Sequence, residues 1–90
     1  MTVVRIPPTL RDETGGEAQL EAHGGTVRDV LEDVTARFPA LRERIWEDDS
    51  VADYVNVYVE GEDVRTLDGL ETPVREGGTV ILLPAMAGGV

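Results

Sequence analysis

Residues 26–38 carry one apolar stripe: Val27, Val30, Leu31, Val34 and Phe38, at spacings i, i+3, i+4, i+7 and i+11. That period describes one face of a helix of about 12 residues. Arg28, Asp29, Glu32, Asp33 and Arg37 fall on its other faces. Gly24-Gly25 stops the chain before it, and Pro39 stops it afterwards. Thr26 with Asp29 has the T-x-x-D spacing of a capping arrangement. A single amphipathic helix cannot bury its stripe alone. In a chain of 90 residues, a mixed sheet wrapped around it is the economical solution.

The remaining patterns have the period of strands. Thr2 to Ile6 is rich in β-branched residues and ends at Pro7-Pro8. Thr9 to Gly16 reads as a polar turn region. Glu17 to Ala22 places Ala18, Leu20 and Ala22 on one face, so the first two strands form a hairpin. After the main helix a second short helical piece is expected over Ala40 to Trp46, with Leu41 and Ile45 inward and Trp46 at the core's edge. Glu47 to Ser50 reads as an acidic loop. Tyr54 to Glu60 is the clearest strand, with Val55, Val57 and Val59 on one face and Tyr54, Asn56, Tyr58 and Glu60 on the other. Glu60-Gly61-Glu62 turns it, and Val64-Arg65 reads as a short strand. Glu76-Gly77-Gly78 leads into Thr79 to Leu83, apolar on both faces as befits a strand near the sheet centre, and Pro84 ends it. The order is β-β-α-β-β, an α+β chain of one domain with no internal repeat.

Charge narrows the function classes. Acidic residues outnumber basic ones 18 to 8, for a net charge of −10. This argues against nonspecific binding to nucleic acid or to anionic membranes, and favours docking on a basic partner. No stretch approaches the roughly 18–20 apolar residues of a membrane span. The first ten residues carry Arg5 and two prolines, so no secretory leader is expected and the cytoplasm fits. Cysteine is absent, which removes disulfides, a thiolate metal site and a cysteine nucleophile.

The interior offers no convincing active site. His23 is the only histidine and lies beside Gly24-Gly25, the context of a solvated turn residue. There is no paired-histidine metal motif, and no EF-hand spacing among the carboxylates. Ser50 is the only serine and lacks a G-x-S-x-G context. The glycine pairs lack dinucleotide-binding spacing, and without any lysine a P-loop is impossible. The end of the chain differs. Pro84 is followed by Ala85, Met86, Ala87, Gly88, Gly89 and Val90. Two glycines in a row have no Cβ, so the backbone there can thread a narrow channel to a buried reaction centre.

Four segments together resemble the ubiquitin-like sulfur carriers of the MoaD/ThiS group, and within it the CysO-type carriers of cysteine biosynthesis. They are I-P-P-T-L-R-D-E-T-G-G, F-P-A-L-R-E-R-I, Y-V-N-V-Y-V-E-G-E-D-V-R and T-V-I-L-L-P-A-M-A-G-G. The resemblance implies a β-grasp fold: a mixed four- or five-stranded sheet on one main helix over residues 1–84, with a flexible tail over 85–90. It implies that an activating enzyme of the MoeB/ThiF type uses ATP to adenylate the Gly89 carboxylate, and that sulfur then replaces AMP to give a thiocarboxylate. A sulfur-accepting, cysteine synthase-like partner takes the sulfur. Met86, Ala87, Gly88 and Gly89 enter the partners' active sites, and the carrier itself binds no cofactor or metal and performs no catalysis. Val90 departs from the family pattern, in which the second glycine is last. A JAMM-type metal-dependent protease is the implied remover of Val90. The outward set around Tyr58 is the expected partner contact.

Two other functions compete. Archaeal relatives with this tail are conjugated to lysines as protein modifiers. All eight basic residues here are arginine, so the chain cannot build isopeptide-linked chains on itself, yet it can be conjugated singly. Similar carriers also serve molybdopterin, thiamin and thiosugar synthesis. The third reading is a β-grasp interaction domain with an inert tail.

Overall fold

A computed structural model describes residues 1–84. The tail 85–90, with its expected functional residues, lies outside the described residues. Seven strands and two α-helices alternate with three short 3-10 segments. Strand β1 (Thr2–Arg5) and β2 (Gln19–Ala22) form the expected antiparallel hairpin. Helix α1 (Val27–Arg37) follows, then α2 (Pro39–Ile45). Next come the two-residue strands β3 (Trp46–Glu47) and β4 (Ser50–Val51), then β5 (Val55–Val59), β6 (Glu62–Asp63) and β7 (Thr79–Pro84). The main sheet is five-stranded in the order β2-β1-β7-β5-β6. It is mixed: β1 and β7 run parallel, and the other pairs run antiparallel.

Helix α1 forms where the stripe requires it. The Thr26 hydroxyl accepts a hydrogen bond from the Asp29 amide at 3.2 Å, so the expected cap is present. Val27, Val30, Leu31 and Val34 are all fully buried. The Val27 amide donates to the Thr72 carbonyl at 3.0 Å, tying the helix start to the segment before β7. Gly24 is required here by close approach: a Cβ at that position would lie 2.8 Å from the Val30 amide nitrogen. Pro39 sits in the first turn of α2, where a missing amide costs nothing. Leu41 and Ile45 are fully buried, as their spacing predicts. Trp46 is half-buried, and its Nε1 donates to the Thr35 hydroxyl at 3.1 Å.

Several local expectations are corrected. Thr9 to Gly16 is a 3-10 segment over Pro8–Thr14 that buries Leu10 and Thr14, not merely a polar turn. Ala18 is exposed, because β2 begins only at Gln19. The acidic loop at 47–50 is the tip of the small β3–β4 hairpin, with Asp48 at a φ of 57°. Val64-Arg65 belongs to a 3-10 turn, and the strand paired with β5 lies just before it at Glu62–Asp63. The β5–β6 turn puts Glu60 and Gly61 at φ 51° and 86°, the double positive φ of a tight hairpin, and so draws the pairing close to β5.

Leu31 sits where α1 faces the sheet and has no accessible surface. Leu31→Ala should lower stability by about 2–5 kcal/mol, since the small core cannot collapse to fill the void. Chemical denaturation checks this, and a loss within experimental error would contradict burial of the stripe.

Candidate functional site

Strand β7 sets where the chain delivers its tail. It is hydrogen-bonded to β1 on one side and β5 on the other, so it is the centre of the sheet. Val80 and Leu82 point into the core and are fully buried. Five consecutive residue pairs with β5, from Val59↔Val80 to Val55↔Pro84, hold the strand up to its last residue. Pro84 is therefore a fixed point from which Ala85 continues. Met86, Ala87, Gly88, Gly89 and Val90 lie outside the described residues, so the expected attachment and processing positions have no structural description here.

The face of the sheet turned away from α1 carries the alternate residues. Tyr58 and Arg5 flank Ile81 in one cross-strand row, and Asn56 lies opposite Leu83 in the next. Tyr58 and Ile81 are half-buried, whereas Leu83 is 42% exposed. Tyr54 is exposed too, but it precedes β5 and does not share the strand's row. The outward set is thus split: Tyr58 and Asn56 belong to the open face, and Tyr54 sits at its end.

A polar cluster on this face was not anticipated. The Arg65 guanidinium donates to Asp63 Oδ2 at 2.8 Å and to Asn56 Oδ1 at 2.7 Å. Asp63 Oδ1 also accepts the Arg65 amide at 2.9 Å, capping the 3-10 turn Val64–Thr66. The hydrogen bonds from Arg65, side chain first and then backbone, hold the Asp63 carboxyl below its ordinary range. The pair with Asp63 correspondingly raises the Arg65 guanidinium. The three residues are among the polar members of V-N-V-Y-V…G-E-D-V-R. The signal lay in that segment, but only the β5–β6 pairing of Tyr58 with Asp63 brings its two ends together.

A second carboxylate fixes the start of β7. Glu60 accepts the Thr79 amide at 2.8 Å and pairs with Arg75 at 3.2 Å. The Thr79 amide, and then Arg75, hold its carboxyl below the ordinary value.

Elsewhere the chemistry-bearing side chains have ordinary surroundings. His23 is exposed, and its amide donates to Asp33 Oδ2 at 2.9 Å. Ser50 is exposed in the β3–β4 hairpin. Among the described residues, no three His, Cys, Asp or Glu side chains are grouped to hold a metal ion. No helix among them is long and apolar enough to cross a membrane.

Comparison with known proteins adds a consistent set of likenesses. The sequence model of the ThiS family matches residues 4–89. The sulfur carrier protein CysO of Mycobacterium tuberculosis is 40% identical over 89 residues, covering 96% of each chain. Small archaeal modifier protein 3 of Haloferax volcanii is 41% identical over 64 residues, 71% of this chain and 70% of that one. A chain in the crystal structure of the Amycolatopsis orientalis BexX/CysO complex superposes with a TM-score of 0.91 at 42% identity. That match covers 98% of this chain and 99% of the other.

The two depressed carboxyls make stability depend on pH in a defined direction. A carboxyl whose folded pKa lies below its unfolded value stabilises the fold above the unfolded value. That contribution is lost as pH falls through the folded one. Stability should therefore decline as pH drops below the ordinary values of 4.5 for Glu60 and 3.8 for Asp63. Denaturation midpoints measured across acidic pH should fall less steeply in Glu60→Gln than in the wild type. Identical slopes would remove Glu60 from the account.

Proposed function

Since the chain belongs to the ThiS family, we propose that it is a sulfur carrier and that the Gly89 carboxyl is its reacting group. It is a protein co-substrate for partner enzymes rather than an enzyme. The observation that carries this reading is the extent of the likeness. The family match runs from residue 4 to residue 89 and so ends on the second glycine of the tail. The likeness to CysO at 40% identity spans nearly the whole of both chains and supports cysteine biosynthesis as the pathway.

The chemistry follows from what a carboxylate needs in order to accept sulfur. Its oxygen is a poor leaving group at neutral pH. A MoeB/ThiF-type enzyme would join the Gly89 carboxylate to the α-phosphorus of ATP and release pyrophosphate. Sulfide would then attack the acyl carbon and displace AMP, leaving a C-terminal thiocarboxylate. A cysteine synthase-like partner would accept that sulfur. The sulfur rides on a main-chain carboxyl, so the chain has no need of the cysteine it lacks. Val90 follows Gly89, and the Gly89 carboxyl is an amide until that bond is cut. A metal-dependent protease of the JAMM type is the proposed agent. Small glycines at 88 and 89 suit a narrow channel, and Met86 and Ala87 would enter the partners' active sites with them.

One relative favours a second reading. The match to a small archaeal modifier protein, at 41% identity over 64 residues, fits a modifier joined to lysines through Gly89. Both readings use the same activated glycine, so a product assay separates them. The chain ending at Gly89 should gain a thiocarboxylate when incubated with the activating enzyme, ATP and sulfide, and the chain retaining Val90 should not without a protease. Intact-mass measurement reads the oxygen-to-sulfur exchange directly. Sulfur mapped to Val90 in the untrimmed chain would overturn both the site and the processing step. Gly-Gly remnants on lysines of other host proteins, with no thiocarboxylate, would establish the modifier instead.

The open sheet face is the proposed docking surface for the activating enzyme. Tyr58 supports it by standing in one row with Ile81, an aromatic with a polar tip beside an apolar neighbour. Tyr58→Ala should weaken binding roughly tenfold, the scale of an interface anchor, while unfolding stays cooperative. Titration calorimetry with the activating enzyme measures it, and unchanged affinity would exclude Tyr58 as a contact.

A further inference from the structure

An enzyme that works on Gly89 must come close to Pro84. The two residues are five apart, and an extended chain spans at most roughly 3.3–3.6 Å per residue, so the reach is on the order of 17 Å. Whatever surrounds Pro84 therefore meets the rim of any active site that takes the tail.

What surrounds it is a built notch. A hollow of about 240 Å³ lies between the 3-10 segment Pro8–Thr14, α2 and the start of β5, lined by Thr9, Leu10, Arg44, Tyr54, Val55 and Pro84. It is smaller than the roughly 300–1,000 Å³ typical of small-molecule sites, so it suits a single side chain. Leu10 and Val55 are buried in its floor. Tyr54 stands at its edge with 54% of its surface exposed, the most exposed of the large hydrophobic residues among those described. Tyrosine is favoured at interfaces, where one partner buries the ring and another meets the hydroxyl.

The notch also has a charge opposite to that of the chain. Arg44 is its only charged lining residue, in a protein of net charge −10. Arg44 Nη1 lies 3.5 Å from Glu13 Oε2. That oxygen nevertheless makes no hydrogen bond among the described residues. The ion pair engages Nη1 alone, so the guanidinium's other N–H groups face another acceptor.

We infer that this notch is a second docking point for the enzymes that act on the tail. It accepts an apolar side chain with a neighbouring carboxylate, projected from the rim of their active-site channel. Tyr54, Leu10 and Val55 receive the apolar group, and Arg44 receives the carboxylate. The inference rests on Gly89 being the group those enzymes act on. It places recognition at the base of the tail, separate from the open sheet face around Tyr58.

The test uses the chain ending at Gly89, a MoeB/ThiF-type activating enzyme from the same host, and ATP, with adenylation followed by pyrophosphate exchange. Tyr54→Ala and Arg44→Glu should each raise KM for the carrier about tenfold with little change in kcat, and Arg44→Lys should stay within about threefold of wild type. Glu13→Gln should leave KM unchanged. If it raises KM as much as Arg44→Glu does, the pair acts structurally and the docking role falls. Wild-type carrier that is never adenylated would sink the sulfur-carrier reading. Wild-type turnover with unaltered KM in both variants would sink the notch alone. The remaining rival occupant is the chain's own tail, whose one large residue before Val90 is Met86. In the free protein, Met86→Ala should leave the Tyr54 ring resonances in place, and they should move only when the enzyme is added. Resonances that shift in the free variant would put the tail in the notch and overturn the proposal.

Discussion

Strand β7 lies between β1 and β5, and its hydrogen bonds to both neighbours govern everything at the functional end of the chain. A strand paired on both sides cannot slide without breaking two ladders. A slip of one residue would also turn Val80 and Leu82 out of the core and bring Ile81 and Leu83 in. It would move Pro84 by about 3.3 Å along the strand. For the proposed delivery of Gly89 to a buried centre, that displacement is large compared with the tolerance of a reacting geometry. The parallel pairing with β1 and the antiparallel pairing with β5 thus fix the place from which residues 85–90 start.

The helix serves the same end. Helix α1 covers the inner face of the sheet, and its fully buried stripe supplies the apolar area that a small sheet needs. This leaves the outer face uncovered by α1. Its central row sets Ile81 between Tyr58 and Arg5, and its edge is closed by the Asn56–Arg65–Asp63 cluster. Arg65 is already held by two partners, so burying it at an interface would sacrifice less side-chain freedom than burying a mobile arginine. On the proposed function the chain's role is positional: one face to be gripped and one terminus to be presented.

The two helices, both strands of the first hairpin, β5 and β7 were legible in the sequence because each carries a period of its own. The stripe from Val27 to Phe38 requires a helix, and Val55, Val57 and Val59 require a strand with one buried face. The central place of β7 was legible as well, since a run apolar on both faces suits a strand with neighbours on each side. The short elements were not. Residues 47–50 look like any acidic loop, and it is the packing of Trp46 and Val51 against the core that closes them into a hairpin. Val64 is apolar enough for a strand, but the tight turn at Glu60-Gly61 exhausts the pairing at Asp63. Leu10 gave no sign of burial, because one apolar residue in a polar stretch has no period to reveal it.

The division follows the range of the forces involved. The sequence by itself determined the main helix and the longer strands, that one helix must lie on one sheet, that no known catalytic motif is spelled out, and that two glycines without a Cβ stand at 88 and 89. Those are matters of local period, composition and backbone freedom. The tertiary structure alone decided that Asn56, Asp63 and Arg65 meet, and that Tyr54 parts company with Tyr58. It alone decided that Leu10, Arg44 and Tyr54 gather around Pro84. Such groupings join residues distant along the chain, and only the pairing of strands and the burial of a shared core fix which of them become neighbours.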